Sequence, residues 1–394
     1  MATEKNSLDL PKGFSLNGLH AGLKDAPEEL DLSLIRSEPK AKAVGVFTQN
    51  HFPGEPVKLA RERLKGGHCS ALLINSRYSN VATGDEGMGD ALKICSALAE
   101  SLGVPDEETL ISSTGIIGRR YPKGVIEKSL VSLIDGLGTD GEDLLKAARG
   151  IMTTDTIPKA MSCHVGDATI SIMVKGSGMI APDMATMLAF IITDADLDLE
   201  VLSPMLKRVV DKSFNNLSID FDTSTSDSCF LLANGLAGDV ELDLFEKALT
   251  DLCQEASRAL VMDGEGVTHL IECQISGAKD ESMARSVAKS IVNSPLVKTM
   301  VTGADPNWGR LIMAIGKTQD DRLSGVAPTL RICGEKVLEK GIPCEHDLEI
   351  ISESMKSEEV VTLEVDLHLG ESDLSYLGAN LTHDYVSINA DYTT

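Results

Sequence analysis

Apolar residues recur along this chain with two periods, one typical of strands and one typical of helices. Residues 43–48 and 71–75 are short apolar runs bounded by polar and turn-forming residues, which predicts buried strands. Residues 168–174 and 362–369 alternate polar and apolar positions, and this period of two predicts strands with one buried face. The apolar run 187–192 predicts a further buried strand.

Helical spacing marks two other stretches. Residues 90–102 begin with Asp and precede Gly103, a common helix stop, and the apolar residues of one face are Leu92, Cys95, Leu98 and Ala99. Residues 279–292 carry apolar residues at the same spacing, with Pro295 just beyond. Strand-like and helix-like stretches alternate without an internal repeat, so the prediction is an α/β or α+β architecture of layered sheets and helices.

Composition and charge exclude several classes of function. Hydrophobic residues make up 42% of the 394 residues and charged residues 24%, the balance of a soluble globular protein. The formal charge of −24 has the wrong sign for binding nucleic acid or an anionic membrane. The eight cysteines include no C-x-x-C pair, and the sequence contains neither a signal-peptide core nor a membrane-spanning apolar run. These features predict a cytoplasmic protein without a disulfide framework or a zinc site.

Four segments are rich in Gly, Thr, Ser, Asn and Asp where a scaffold would favour apolar residues. They are residues 75–89, 112–118, 175–186 and 220–228. Each by itself also fits a surface turn cluster. The segment 175–186 is the most informative, because it separates two predicted strands.

The segment 175–186 has two chemical interpretations. Gly176-Ser-Gly178-Met-Ile-Ala181 formally matches the dinucleotide fingerprint G-x-G-x-x-A, but Pro182 disfavours the helix that must open directly after the glycines. Thr186 instead begins a predicted buried strand. If the peptide bond before Thr186 were cut, its own α-amine would lie within reach as a general base, which is a recognised way to activate a threonine nucleophile.

Seven segments support the second interpretation when they are taken together. They are Ser113-Thr-Gly-Ile-Ile-Gly118, Ile151-Met-Thr-Thr-Asp-Thr-Ile-Pro-Lys159, Lys175-Gly-Ser-Gly-Met-Ile-Ala-Pro-Asp-Met-Ala-Thr-Met-Leu188, Asp222-Thr-Ser-Thr225, Asp263-Gly-Glu-Gly266, Asp305-Pro-Asn-Trp-Gly-Arg310 and Asn389-Ala-Asp-Tyr-Thr-Thr394. In this order and with similar gaps, they closely resemble the ornithine acetyltransferase family, which includes the bifunctional glutamate N-acetyltransferases of arginine biosynthesis. The resemblance runs from about Gly13 to the last residue.

The resemblance implies an α/β fold of layered sheets and helices that cuts itself between Ala185 and Thr186. The products would be an α chain of residues 1–185 and a β chain of residues 186–394, assembled as a heterotetramer of two α and two β chains. Thr186 would be the nucleophile, and the oxyanion hole maps onto Thr114 and Gly115. The family's substrate positions map onto Thr153, Lys175, Thr186, Glu265, Asn389 and Thr394.

The implied reaction moves an acetyl group from N-acetylornithine to glutamate through an acetyl ester on Thr186. Because one acetamide is broken and a similar one is made, the exchange needs neither ATP nor a metal ion, and it should follow ping-pong kinetics. No cofactor is expected, and the use of acetyl-CoA as a second acetyl donor is left open. Lys175 would pair with a substrate carboxylate and Glu265 with an ammonium.

Four positions depart from the commoner form of the family. Arg77 and Tyr78 stand where Gly and Asn are usual, Phe221 replaces a usual Gly, and His269 replaces a usual Lys. These departures leave open the exact acyl acceptor and whether the pathway is a housekeeping or a specialised one. Two further alternatives also stay open: an N-terminal-nucleophile amidohydrolase or aminopeptidase that uses the same Thr186, and an unprocessed relative without activity.

Overall fold

The computed structural model describes residues 8–181 and 187–391 and contains two mixed β-sheets with helices around and between them. The strands are β1 (Phe14–Leu19), β2 (Leu32–Phe47), β3 (His68–Asn75), β4 (Thr109–Ser113), β5 (Lys159–Val165), β6 (Ala168–Lys175), β7 (Leu188–Ala195), β8 (Leu217–Ser218), β9 (Ser228–Gly238), β10 (Leu270–Ala278), β11 (Thr329–Ile332), β12 (Glu335–Glu339), β13 (Ile342–Pro343), β14 (Val360–Asp366) and β15 (Ser372–Ala379). The helices are α1 (Glu55–Arg63), α2 (Gly84–Leu102), α3 (Val125–Asp135), α4 (Gly141–Gly150), α5 (Leu199–Lys212), α6 (Leu242–Met262), α7 (Glu281–Val292), α8 (Pro295–Thr302), α9 (Gly309–Gly316), α10 (Leu348–Ser357) and α11 (His383–Asp391).

The first sheet has the order β4-β3-β2-β9-β7-β6-β5, with β1 added along β2, and the second has the order β13-β12-β11-β14-β10-β15-β8. In the first sheet the pairs β3–β4 and β7–β9 are parallel, and the other pairs are antiparallel. The long strand β2 pairs with β3 through its first half and with β9 through its second half, and a register shift falls between Arg36 and Ala41. Such an irregularity bends a strand.

Helix α6 joins the two sheets. Its buried residues, among them Phe245, Leu249 and Leu260, pack in one core with Ile170 and Ile172 of the first sheet, and with Leu377 of the second. Helix α4 covers the opposite face of the first sheet, and α7 and α9 cover the outer face of the second. The predicted α/β layering is confirmed.

Most predicted elements are confirmed, with differences that packing explains. The stretch 168–174 was expected to be half-buried, but β6 is buried throughout because α6 covers one face and a second core the other. Its polar side chains are tolerated there because they are hydrogen-bonded: Thr169 Oγ1 lies 3.3 Å from His164 Nδ1, and Ser171 Oγ donates to the Asp9 carbonyl.

Helix α2 also differs from its prediction. It begins at Gly84 rather than at Asp90, and Leu92 is exposed instead of sharing the buried face with Cys95 and Leu98. It ends as expected at Gly103, which has the left-handed φ of 66° that glycine adopts without strain. No helix in residues 8–181 or 187–391 is long and apolar enough to cross a membrane.

Candidate active site

The four polar segments converge on one cavity of about 930 Å³. Lys175 ends β6 and pairs with Leu188 of β7, which in turn pairs with Ser228 of β9, so residues 175–181 and the segment 220–228 lie side by side. Asn75 pairs with Ser113 at the ends of β3 and β4, which places the other two segments together. Segments that individually fit surface turns thus form the walls of a single cavity.

Six of the predicted site residues line this cavity. They are Thr114, Gly115, Thr153, Lys175, Glu265 and Asn389. Ala185, Thr186 and Thr394 lie outside the described residues, so their predicted roles stay predictions. Met187, the residue after Thr186, also lines the cavity.

The backbone around Gly115 admits only glycine. Gly115 has φ of 123°, and a Cβ atom there would lie 2.3 to 2.6 Å from the backbone of Arg77. The neighbouring Thr114 N–H donates to the Asn75 carbonyl at 3.0 Å, whereas the Gly115 N–H makes no hydrogen bond with any residue that the structure describes. The donors left for a ligand are therefore the Gly115 N–H and the Thr114 hydroxyl, whose Oγ1 lies 3.4 Å from Lys175 Nζ.

A buried network of charges supports Lys175. Asp155 accepts hydrogen bonds from the Gly176 N–H at 2.6 Å, from the Thr153 N–H at 3.0 Å and from Lys159 Nζ at 2.8 Å, and Lys159 also pairs with Asp263. Burial lowers the pKa of Lys175, and Lys159 adds to this, while Asp155, Asp227 and Glu265 oppose it. The network thus holds the backbone N–H groups of Thr153 and Gly176 in place next to Lys175.

The same network makes stability depend on acid pH. Burial by itself would raise the pKa of Asp155, but Lys175 and Lys159 lower it from its ordinary 3.8 to about 2. The ionised carboxylate therefore stabilises the fold above about pH 4, and this contribution is lost as the pH falls towards 2. An Asp155→Asn variant is expected to be less stable at pH 7 by about 2 kcal/mol or more, and the difference from wild type should shrink in acid.

Urea unfolding at pH 7 and at pH 3 measures this effect. The control is Asp239→Asn, a change at an exposed carboxylate, which should leave the wild-type pH dependence in place. A stability difference for Asp155→Asn that did not change with pH would contradict this role for Asp155.

Glu265 and the last described helix form the other wall. Asn389 Nδ2 on α11 donates to Glu265 Oε2 at 2.7 Å, and the Glu265 N–H donates to the Ser177 carbonyl at 2.8 Å. A Cβ atom at Gly178 would lie 2.6 Å from the Glu265 carboxylate. The close approach of Gly178 and the bond from Asn389 thus fix this carboxylate at the cavity wall.

Three acidic or phenolic side chains of the cavity were missed from the sequence. Burial raises the pKa of Asp227 well above its ordinary value, which Ser224 and Lys175 offset only in part, and its Oδ2 has no hydrogen-bond partner among the described residues. Asp220 accepts from the Met179 and Ile180 N–H groups at 2.6 and 2.8 Å, and Tyr385 donates to it at 3.4 Å. Asp220 and Asp227 both fall in the segment 220–228, whose composition was the available signal.

The four departures from the family pattern fall in different places. Arg77 lines the cavity and Phe221 lines a small neighbouring chamber, and both have left-handed φ, 77° and 74°, at positions where glycine is usual in the family. Tyr78 packs partly buried against the core around α2 and α3, and His269 is not among the lining residues. Among the four, Arg77 is the one that lines the cavity.

The chain is similar in sequence to known proteins over nearly its whole length. Residues 15–394 match the family model of the ArgJ family. The chain is 40% identical to "Arginine biosynthesis bifunctional protein ArgJ 2" of Clostridium acetobutylicum and 42% identical to "Glutamate N-acetyltransferase Oat2" of Streptomyces clavuligerus, with 98% of each chain covered. It is also similar to a crystal structure of the bifunctional protein argJ from Bacillus halodurans, with 37% identity and a TM-score of 0.51 over 52% of this chain and 100% of that one.

Proposed function

The chain belongs to the ArgJ family of acyltransferases, and from that we propose that it moves an acetyl group from N-acetylornithine to glutamate by way of an acetyl ester on Thr186. The observation that carries this proposal is the convergence of Thr114, Gly115, Lys175 and Glu265 on one cavity, which Met187 also lines. Met187 directly follows Thr186, so the proposed nucleophile is one peptide bond from a residue of the cavity wall.

The proposed reaction has two half-reactions. Thr186 Oγ attacks the acetamide carbonyl of N-acetylornithine while the Thr186 α-amine takes the hydroxyl proton. The Gly115 N–H and the Thr114 hydroxyl donate to the developing oxyanion. The carbon–nitrogen bond then breaks, ornithine leaves with the proton on its amine, and the acetyl ester remains. The amine of glutamate attacks this ester, which releases Thr186 and gives N-acetylglutamate.

Charge in the cavity fits amino-acid substrates. Among the residues that the structure describes, the Lys175 ammonium donates only to Thr114 Oγ1, at 3.4 Å, so this buried ammonium can also donate to a substrate carboxylate. The Glu265 carboxylate, held by Asn389, suits the side-chain ammonium of N-acetylornithine. Thr153 and Thr394 complete the substrate positions in this proposal.

The proposal includes processing and assembly. The α chain of residues 1–185 and the β chain of residues 186–394 stay together as a cytoplasmic heterotetramer of two copies each. The solved Bacillus halodurans chain accounts for 52% of this chain, the share expected of one processed chain. The proposed mechanism uses no metal ion or cofactor, and acetyl-CoA is a candidate second acetyl donor.

The test uses purified protein with N-acetylornithine, with and without glutamate. We expect ornithine release, N-acetylglutamate formation with parallel double-reciprocal plots, and a β chain heavier by one acetyl group when glutamate is withheld. Acetyl-CoA replaces N-acetylornithine in a parallel assay.

Three results would contradict the proposal. Release of acetate without N-acetylglutamate would identify an amidohydrolase. Transfer to an acceptor other than glutamate would point to a specialised pathway. A single intact chain that releases no ornithine would indicate a relative without activity.

A further inference from the structure

The two substrates of the proposed reaction differ in the charge of their side chains, and this inference rests on that reaction. N-acetylornithine ends in an ammonium, which Glu265 can receive, whereas glutamate ends in a carboxylate, which Glu265 repels. With the α-carboxylate of either substrate at Lys175, the second carboxylate of glutamate needs another cation in the cavity.

Lys24 is such a cation. It lies in the connection from β1 to β2, and its side chain is 11% exposed and lines the cavity. Its ammonium makes no hydrogen bond with any described residue, and its nearest carboxylate oxygen is Glu29 Oε2 at 3.8 Å. Burial lowers the pKa of Lys24, and the positive charge of Lys175 lowers it further, while Glu29, Asp31 and Asp155 oppose both. An ammonium on a largely buried side chain, without a hydrogen-bond acceptor among the described residues, is stabilised when an anion binds beside it.

The backbone that carries Lys24 is held rigidly. The carboxylate of Asp31, itself fully buried, accepts hydrogen bonds from the N–H groups of Ala21, Leu23 and Lys24 at 2.6, 2.7 and 2.9 Å. Such a preorganised loop orders the Lys24 side chain at low entropic cost when a ligand binds.

Arg77 brings a second positive charge to the same part of the cavity. Its guanidinium lies 3.8 Å from Asp25, the residue next to Lys24. Arg77 holds a left-handed backbone conformation that costs a non-glycine residue about 1 kcal/mol. A planar guanidinium can form a two-point contact with a carboxylate. Strain retained at a residue that lines a cavity points to a function for its side chain.

We propose that Lys24 and Arg77 form the subsite for the side-chain carboxylate of the acetyl acceptor, separate from the wall of Glu265 and Asn389 that receives the donor's ammonium. Lys175 lines the same cavity as Lys24 and Glu265 and interacts electrostatically with both. In this arrangement both substrates react at the same nucleophile and place their α-carboxylates at Lys175. Their side chains bind in different subsites.

The test compares Lys24→Gln and Arg77→Gly with wild type in steady-state kinetics, using glutamate and the uncharged isostere glutamine as acceptors. Glycine fits the left-handed backbone at position 77, so the second variant should fold even if the first does not. In each variant the KM for glutamate is expected to rise about tenfold or more. The preference for glutamate over glutamine is expected to fall by the same factor. The KM for N-acetylornithine should stay within about twofold.

The matched control is Arg120→Gln. Arg120 is an exposed arginine bound to Asp90 and Glu86, and it is not among the lining residues, so the variant should keep wild-type kinetics. If wild type transfers acetyl and both variants keep its KM for glutamate and its acceptor preference, the subsite is overturned and the proposed function stands. If wild type forms no acetyl-enzyme, the proposed function fails and the subsite fails with it.

Discussion

A Thr186→Ala variant is expected to remain one 394-residue chain and to lose acetyl transfer by about 10⁴-fold or more. The proposed mechanism uses the Thr186 hydroxyl twice, first to attack the peptide bond after Ala185 and then to carry the acetyl group. Alanine supplies neither a nucleophile for the cut nor an ester oxygen for the transfer. Denaturing gel electrophoresis and N-terminal sequencing measure the cut, and ornithine release from N-acetylornithine measures the transfer.

Thr186→Ser is the matched control for that variant. Serine keeps the hydroxyl and lacks only a methyl group, so processing and acetyl transfer should both persist at reduced rates. Full processing or full activity of Thr186→Ala would remove Thr186 from the mechanism. An intact wild-type chain would reject self-cleavage directly.

A Gly115→Ala variant is expected to lower kcat by about 10²- to 10³-fold. Its Cβ atom would lie 2.3 to 2.6 Å from the Arg77 backbone, so the turn must move, and the Gly115 N–H moves with it. That N–H is one of two donors proposed for the oxyanion, and a donor displaced by a fraction of an ångström loses much of its effect on the transition state. The rate of ornithine release at saturating N-acetylornithine is the measurement.

Gly118→Ala separates this effect from a general cost of losing glycine. Gly118 lies in the same turn with φ of 80°, but a Cβ atom there would meet nothing within 4 Å. Gly118→Ala should therefore carry a backbone penalty of about 1 kcal/mol in stability and keep most of the activity. Equal losses of kcat in the two variants, measured on folded protein, would argue against a specific role for the Gly115 N–H.

The candidate site could be predicted in part because several of its residues belong to short motifs that can be recognised in the sequence. The order of seven motifs led to Thr114, Gly115, Lys175, Glu265 and Asn389, which the structure places around one cavity. The roles of Thr186 and Thr394 stay predictions, because both lie outside the described residues. The cut after Ala185 and the two-chain assembly also stay predictions.

Other parts of the site could not be predicted from the sequence. Lys159 and Asp263 form a buried ion pair although 104 positions separate them along the chain. Lys24 belongs to the connection from β1 to β2, in which no motif marked a function. Hydrophobic periodicity records which face of one element is buried, and it carries no information about which loops meet.

The sequence by itself determined the alternation of strands and helices, and its motifs identified the family and the proposed nucleophile. Only the tertiary structure decided that the Gly115 N–H, unlike that of Thr114, has no hydrogen-bond partner among the described residues, and that Lys24 and Arg77 share a cavity with Lys175. The physical reason is that these features depend on strand order and on contacts between distant loops. Strand β9 lies between β2 and β7, and β2 shifts register between Arg36 and Ala41, so residues far apart in the chain become neighbours.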